Sequence, residues 1–196
     1  MAHFRKLFLP LFLISVWVPI AHANETVLRA AGLPQLSNPS AGALKLRGEG
    51  VFRYLGMKLY KASFYIDPAL AGPDQALKDV PKRLVIRYFR DIPKKALIQA
   101  AERNIRNNPS ADFKGLRERL DHLHAKYADI KEGDTYELVY FKGNTLLYYN
   151  GQLKAQIAGA DFASAYFGIW VSEYSISQKL RKALLGFQPS HSKRSG

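Results

Sequence analysis

The 196-residue chain has no cysteine. It can therefore form neither a disulfide nor a lipid-modified N-terminal cysteine, and Cys–His nucleophilic catalysis is excluded. It has no G-x-S-x-G elbow and no Walker-type phosphate loop. The stretch GEGVFRYLG, residues 48–56, has the first two glycines of a dinucleotide fingerprint, but Arg53 stands where the third would be. No helical pattern follows it, so that reading fails. His122 and His124 are two apart on a predicted helix and leave it on different faces, whereas metal pairs on helices share a face. No metal or other cofactor is expected. Acidic residues fall mostly beside Lys and Arg on helix surfaces, which leaves no convincing carboxylate pair. Beyond the N-terminal segment, no apolar run approaches the roughly 20 residues that span a bilayer.

The N-terminal segment reads as a signal peptide. Arg5 and Lys6 precede the apolar run LFLPLFLISVWVPI, and AHA ends it with small residues at Ala21 and Ala23. Cleavage is expected before Asn24, with export to the periplasm. The whole chain has 29 Lys and Arg against 16 Asp and Glu, a net charge of +13, and cleavage would lower it by two. So basic a protein is drawn to anionic membrane headgroups, nucleic acid or acidic metabolites. Export makes nucleic acid the least expected of these. The cations are spread along the chain, as on an ordinary solvated surface, apart from the basic tail at 187–196.

Residues 24–42, rich in Ala, Gly, Pro, Ser and Asn, form a lead-in with little expected regular structure. A single domain is expected over 43–186. Alternating patterns predict strands over 43–55 and 57–66, turning near Gly56, and a third over RLVIRYFR, 83–90. Pro93 then opens a helix with Leu97, Ala101 and Ile105 on one face. A second amphipathic helix carries Phe113, Leu116, Leu120, Leu123 and Tyr127. Three short strands follow in 134–159, with turns expected at Gly143-Asn144 and Asn150-Gly151, the latter a preferred type I′ pair. Helices over 160–171 and 177–185 close the domain, the last capped by Gly186. This order predicts an α+β domain, an antiparallel sheet covered by a helical layer on one face.

The strands are rich in tyrosine and arginine: Arg53, Tyr60, Tyr65, Arg87, Tyr88, Tyr140 and Tyr148. An apolar sheet face with phenol donors and a guanidinium could hold an apolar ligand with an anionic head. Tyrosine also favours strands for reasons unrelated to ligands, and one strand face is often wet. Strand periodicity alone leaves both readings of Arg53 open.

GEGVFRYLGMKLYKASFYI, LVIRYFRDIPKKALIQAAERNI, EGDTYELVYFKGNTLLYYNGQ and FASAYFGIWVSEYSISQKLRKALLG occur in an order that resembles the chalcone isomerase-like family, in its exported bacterial branch. The resemblance implies an open-faced β-sandwich of chalcone isomerase type, with a ligand cleft between the sheet and its helical layer. In the plant enzymes an arginine on the first strand holds the substrate anion, and in fatty-acid-binding relatives that arginine and a tyrosine on the next strand hold a carboxylate. Arg53 and Tyr60 match those positions. The enzymes also carry a tyrosine and an asparagine around the helix after the third strand. Here that stretch has no tyrosine, and Asn104 alone could stand in for the asparagine.

The expectation is therefore an exported, non-catalytic binder of a small apolar anion such as a fatty acid. Arg53 and Tyr60 would hold the head, with Asn104, Tyr88 and Tyr140 as further candidate ligand-binding residues. One alternative is an isomerase or lyase acting in the same cleft. Another is an envelope-interaction protein in which Arg53 ties down a carboxylate such as Asp161 or Glu173. The basic amphipathic helix near the C-terminus could touch anionic lipid, although docking on the sheet is the stronger expectation. Oligomeric state is not legible.

Overall fold

The computed structural model describes residues 44–70 and 72–187. The signal peptide, the whole lead-in and all of the expected basic tail except Phe187 lie outside the described residues. Six strands form one sheet in sequential order, each antiparallel to its neighbour. They are β1 (Lys45–Tyr54), β2 (Met57–Ile66), β3 (Lys82–Tyr88), β4 (Thr135–Phe141), β5 (Asn144–Tyr149) and β6 (Gln152–Ala158). Helices α1 (Lys94–Arg106) and α2 (Arg117–His124) lie between β3 and β4, and α3 (Ala160–Val171) and α4 (Gln178–Leu184) follow β6. The expected α+β order holds throughout.

Strand alternation determines which side chains can reach a site. Tyr60, Ala62, Phe64 and Ile66 on β2 and Leu84, Ile86 and Tyr88 on β3 are buried toward the helices. Tyr65, Arg87 and Tyr148 have the opposite parity and leave from the other face. Three hairpins turn on two residues with positive φ, at Leu55-Gly56, Lys142-Gly143 and Asn150-Gly151. These are the angles of type I′ turns, whose twist matches that of the strands. The turn expected at Gly143-Asn144 sits one residue earlier, because Asn144 already pairs with Phe141 and Ala158 as the first residue of β5.

Helix α3 is apolar nearly all round and forms the centre of the helical layer, with Phe162, Tyr166, Phe167 and Val171 buried. It packs against α1, α4 and the short 3-10 turn Pro73–Leu77. Helix α1 begins after Pro93, and Asp129 Oδ1 accepts the free Lys94 N–H at 2.8 Å. Helix α2 is shorter than its apolar spacing implied, so Phe113 and Tyr127 sit in flanking turns.

Helix α4 docks on β1, with Leu180, Leu184 and Leu185 buried. Ser177 caps its start and Gly186, φ 70°, ends it, with Phe187 N–H donating to Lys182 C=O. Its apolar face is therefore occupied by the sheet. The contact depends on glycine: a Cβ at Gly48 would lie 2.0 Å from the Ala183 carbonyl oxygen and 2.8 Å from that of Leu184. Both are backbone atoms of a packed helix, so neither can swing aside. Gly48→Ala is expected to destabilise the protein by about 1–3 kcal/mol through overpacking. Urea denaturation checks this: the midpoint falls with an unchanged slope, whereas an unchanged midpoint would show that β1 and α4 are not in this contact.

Candidate functional site

The helical layer does not fill the space above the sheet. Between α1, α3 and strands β1–β5 lies a cavity of about 480 Å³, within the roughly 300–1,000 Å³ common for small-molecule sites. Its apolar wall includes Phe52, Leu59, Ile86, Leu97, Leu138 and Ile169. Helix α1 contributes Leu97, Ala101 and Asn104 to the wall and the exposed Ala96, Gln99 and Ala100 to its outer edge, and its three alanines leave part of the space unfilled. Five tyrosines, Tyr60, Tyr88, Tyr127, Tyr136 and Tyr166, supply the inner polar groups. Tyr54 and Arg103 line the cavity and are also exposed, so they mark its mouth. Arg103 is the one charged residue among the described lining residues.

The phenols differ in how they are satisfied. Tyr60 accepts a hydrogen bond from Trp170 Nε1 at 3.0 Å, joining β2 to α3 across the layer and leaving its own O–H free to donate. Tyr136 accepts the Ala128 N–H at 2.8 Å. The hydroxyls of Tyr127 and Tyr166 bond to each other, and Tyr166 also lies 3.5 Å from His124 Nε2. Behind them His124 Nδ1 lies 3.6 Å from Glu102 Oε1. Burial lowers the His124 pKa while Glu102 opposes the shift. Tyr88 differs from the others: its ring packs edge-on against Tyr60 and Tyr136, and its hydroxyl makes no hydrogen bond to any described residue. A buried phenol facing an apolar cavity without a partner is a donor available to a ligand.

The five residues singled out in the sequence part company here. Tyr60 and Tyr88 are cross-strand neighbours and share the cavity wall. Asn104 also lines it, with its amide donating to the Tyr174 carbonyl at 2.9 Å and so holding α1 to the loop after α3. Tyr140 points to the helical side but lies beyond the cavity. Its hydroxyl donates to Asp79 Oδ1 at 2.5 Å, and its ring sits under the Lys82 ammonium, 5.1 Å from the centroid. Lys82 is fully buried and donates to the Ala76 carbonyl at 3.1 Å and to that of Lys78. Burial depresses its pKa to about 8, with Asp79 pulling the other way. This cluster closes the 3-10 turn over the end of the sheet.

Arg53 does not reach the cavity. Phe52 pairs with Tyr60 and stacks on its ring at 5.1 Å, which commits Phe52 to the helical side and Arg53 to the other. A register shift between Phe52 and Arg53 then carries Arg53 into the exposed hairpin end, where it donates to the Gly56 carbonyl at 3.3 Å. Of the two carboxylates suggested for it, Asp161 is held instead by Arg119 at 2.8 Å, and Glu173 is in no ion pair with a described residue. Arg103 and Trp170 were missed. The available signal was the Ala96–Ala100–Arg103 stripe beside the apolar face of α1, small residues leading to a cation. His122 is exposed and His124 buried, so the two histidines do occupy different faces of α2. Among the described residues no three His, Asp or Glu side chains converge as a metal site would require.

An antiparallel sheet with helices over one face, and an apolar cleft between, defines an open-faced sandwich of chalcone isomerase type. A family model described as chalcone isomerase-like matches residues 28–186, and the chain belongs to that family. Among solved structures it is similar to a fatty-acid-binding protein of Arabidopsis thaliana, at 11% sequence identity and a TM-score of 0.61. That match covers 79% of this chain and 95% of the other. No curated protein matches the chain.

Burial, above all, raises the pKa of Tyr60, Tyr88, Tyr127 and Tyr166. Each binds its proton more tightly folded than unfolded, so the stability they contribute is complete below about pH 10, the unfolded value. It is lost as pH rises through the folded values. Absorbance at 295 nm, followed together with near-ultraviolet circular dichroism, should show these phenols ionising only as tertiary structure disappears. Their ionisation with the dichroism intact would contradict their placement.

Proposed function

We propose that the protein is a non-catalytic binder of a small apolar anion, with a long-chain carboxylic acid the best fit. The tail lies in the cavity and the carboxylate at its mouth beside Arg103. One observation carries this reading: the cavity wall is apolar and phenolic, with its single cation at the rim and no carboxylate or histidine among the described lining residues. A carboxylate drawn fully inside would lose its water without gaining a counter-ion. At the rim it keeps water and gains a charge-assisted, two-pronged partner. For a ligand that also carries an oxygen along its chain, the Tyr60 and Tyr88 hydroxyls are neutral donors deeper in the cavity. Proton abstraction would need a base facing the ligand, and burial holds the phenols that face it in their neutral form. The fatty-acid-binding character of the Arabidopsis protein supports the same ligand class. The N-terminal pattern supports action after export, in the periplasm, with cleavage before Asn24.

Extraction of the purified protein and mass spectrometry of the extract should yield long-chain acids in amounts approaching one per chain. Across a series of straight-chain acids, affinity should rise with each methylene by at most about 0.8 kcal/mol, then level off once the cavity is filled. Arg103→Gln should weaken binding by about 1 kcal/mol, roughly fivefold, since the rim stays wet. Tyr88→Phe should cost about 0.5–1.5 kcal/mol where the ligand carries an acceptor within reach. Arg53→Gln, outside the cavity, should leave solution affinity nearly unchanged. If Arg53→Gln abolished binding and Arg103→Gln did not, the head would lie elsewhere.

A further inference from the structure

The three type I′ turns place very different residues at their first left-handed position. Two use polar side chains, Lys142 at φ 47° and Asn150 at φ 48°; the third uses Leu55 at φ 49°. A bulky apolar L-residue is disfavoured in that region. Leu55 recovers nothing by packing, since it is 81% exposed. Tyr54 and Met57 beside it are 58% and 42% exposed. The hairpin end therefore presents three large apolar side chains to the surroundings, flanked by the exposed cations Arg53 and Lys58. Neither cation forms an ion pair with a described residue. An apolar tip ringed by cations is complementary to the surface of an anionic bilayer. Leucine, methionine and tyrosine enter the headgroup–acyl boundary while lysine and arginine extend to the phosphates.

The position of the tip adds a second argument. Phe52, Tyr54 and Leu59, on the strands that carry it, line the cavity, and Tyr54 stands at the mouth. We propose that the β1–β2 hairpin end, Arg53 to Lys58, inserts into the surface of an anionic lipid bilayer and sets the cavity mouth against it. An apolar ligand then passes between cavity and membrane without crossing water. The ligand part of this rests on the function proposed above; the docking part does not.

Because the chain has no cysteine, Leu55→Cys provides a unique labelling site for an environment-sensitive fluorophore, and Lys142→Cys places the same label on a polar turn. With phosphatidylcholine vesicles containing phosphatidylglycerol, the label at 55 should shift to the blue and brighten several-fold. High salt should reverse the change, and pure phosphatidylcholine should not produce it. The label at 142 should not respond. No response at 55, or an equal response at both positions, would overturn the docking. So would a response without vesicles that grows with protein concentration, which would mean that the tip meets a second copy of the chain. In the unlabelled protein, Leu55→Asp, tolerable at positive φ, should slow transfer of a fluorescent long-chain acid from the anionic vesicles at least fivefold, with binding of that acid in solution retained. Unslowed transfer would overturn the coupling of tip to mouth. If the parent protein fails to bind the acid in solution while the label at 55 still reports insertion, the ligand reading fails and the docking stands.

Discussion

The hydrogen bond from Trp170 Nε1 to the Tyr60 hydroxyl, 3.0 Å long and buried, spans the gap between helix α3 and strand β2. Two large side chains meeting tip to tip hold the helical layer away from the sheet at that point. The alanines of α1 are too small to fill what remains, and the result is a cavity. The bond also satisfies a buried indole N–H that would otherwise be costly. Sheet, roof and the space between them thus depend on one polar contact in an apolar layer. The Gly48 approach of β1 to α4 closes the same layer at its edge, where no side chain fits.

Inside this space the polar groups are graded. Deep phenols are neutral at physiological pH and mostly engaged with each other or with backbone, while Tyr88 remains available to a ligand. The guanidinium of Arg103 is at the mouth, exposed to solvent. The gradient from apolar interior to cationic rim has the polarity of an amphiphile inserted tail first. The hairpin end repeats it on the outside, with Leu55 and Met57 flanked by Arg53 and Lys58.

Much of this was legible in the chain. Period-two patterns located every strand, and Asn150-Gly151 announced its own turn. Gly186 marked the end of α4. The side on which Arg53 emerges was not legible, because both parities of β1 carry a mixture of residue types; it is decided by Phe52 stacking on Tyr60, a cross-strand contact. Tyr140 has the parity of the cavity tyrosines but lies under Lys82 at the far end, and sequence gives parity more readily than position along the sheet. Arg103 was hidden for a different reason. The amphipathic face of α1 was defined by its large apolar residues, while the site uses the adjacent stripe of small ones. A cavity is a place where side chains are missing, and hydrophobic periodicity reports where they are present.

The most direct test of the account is a crystal structure of the protein with a long-chain carboxylic acid. The account predicts the acyl chain between α1, α3 and the sheet, passing Tyr88, with the carboxylate within hydrogen-bonding distance of Arg103. A carboxylate bound at Arg53, or a cavity without ligand while the acid occupies another site, would contradict it.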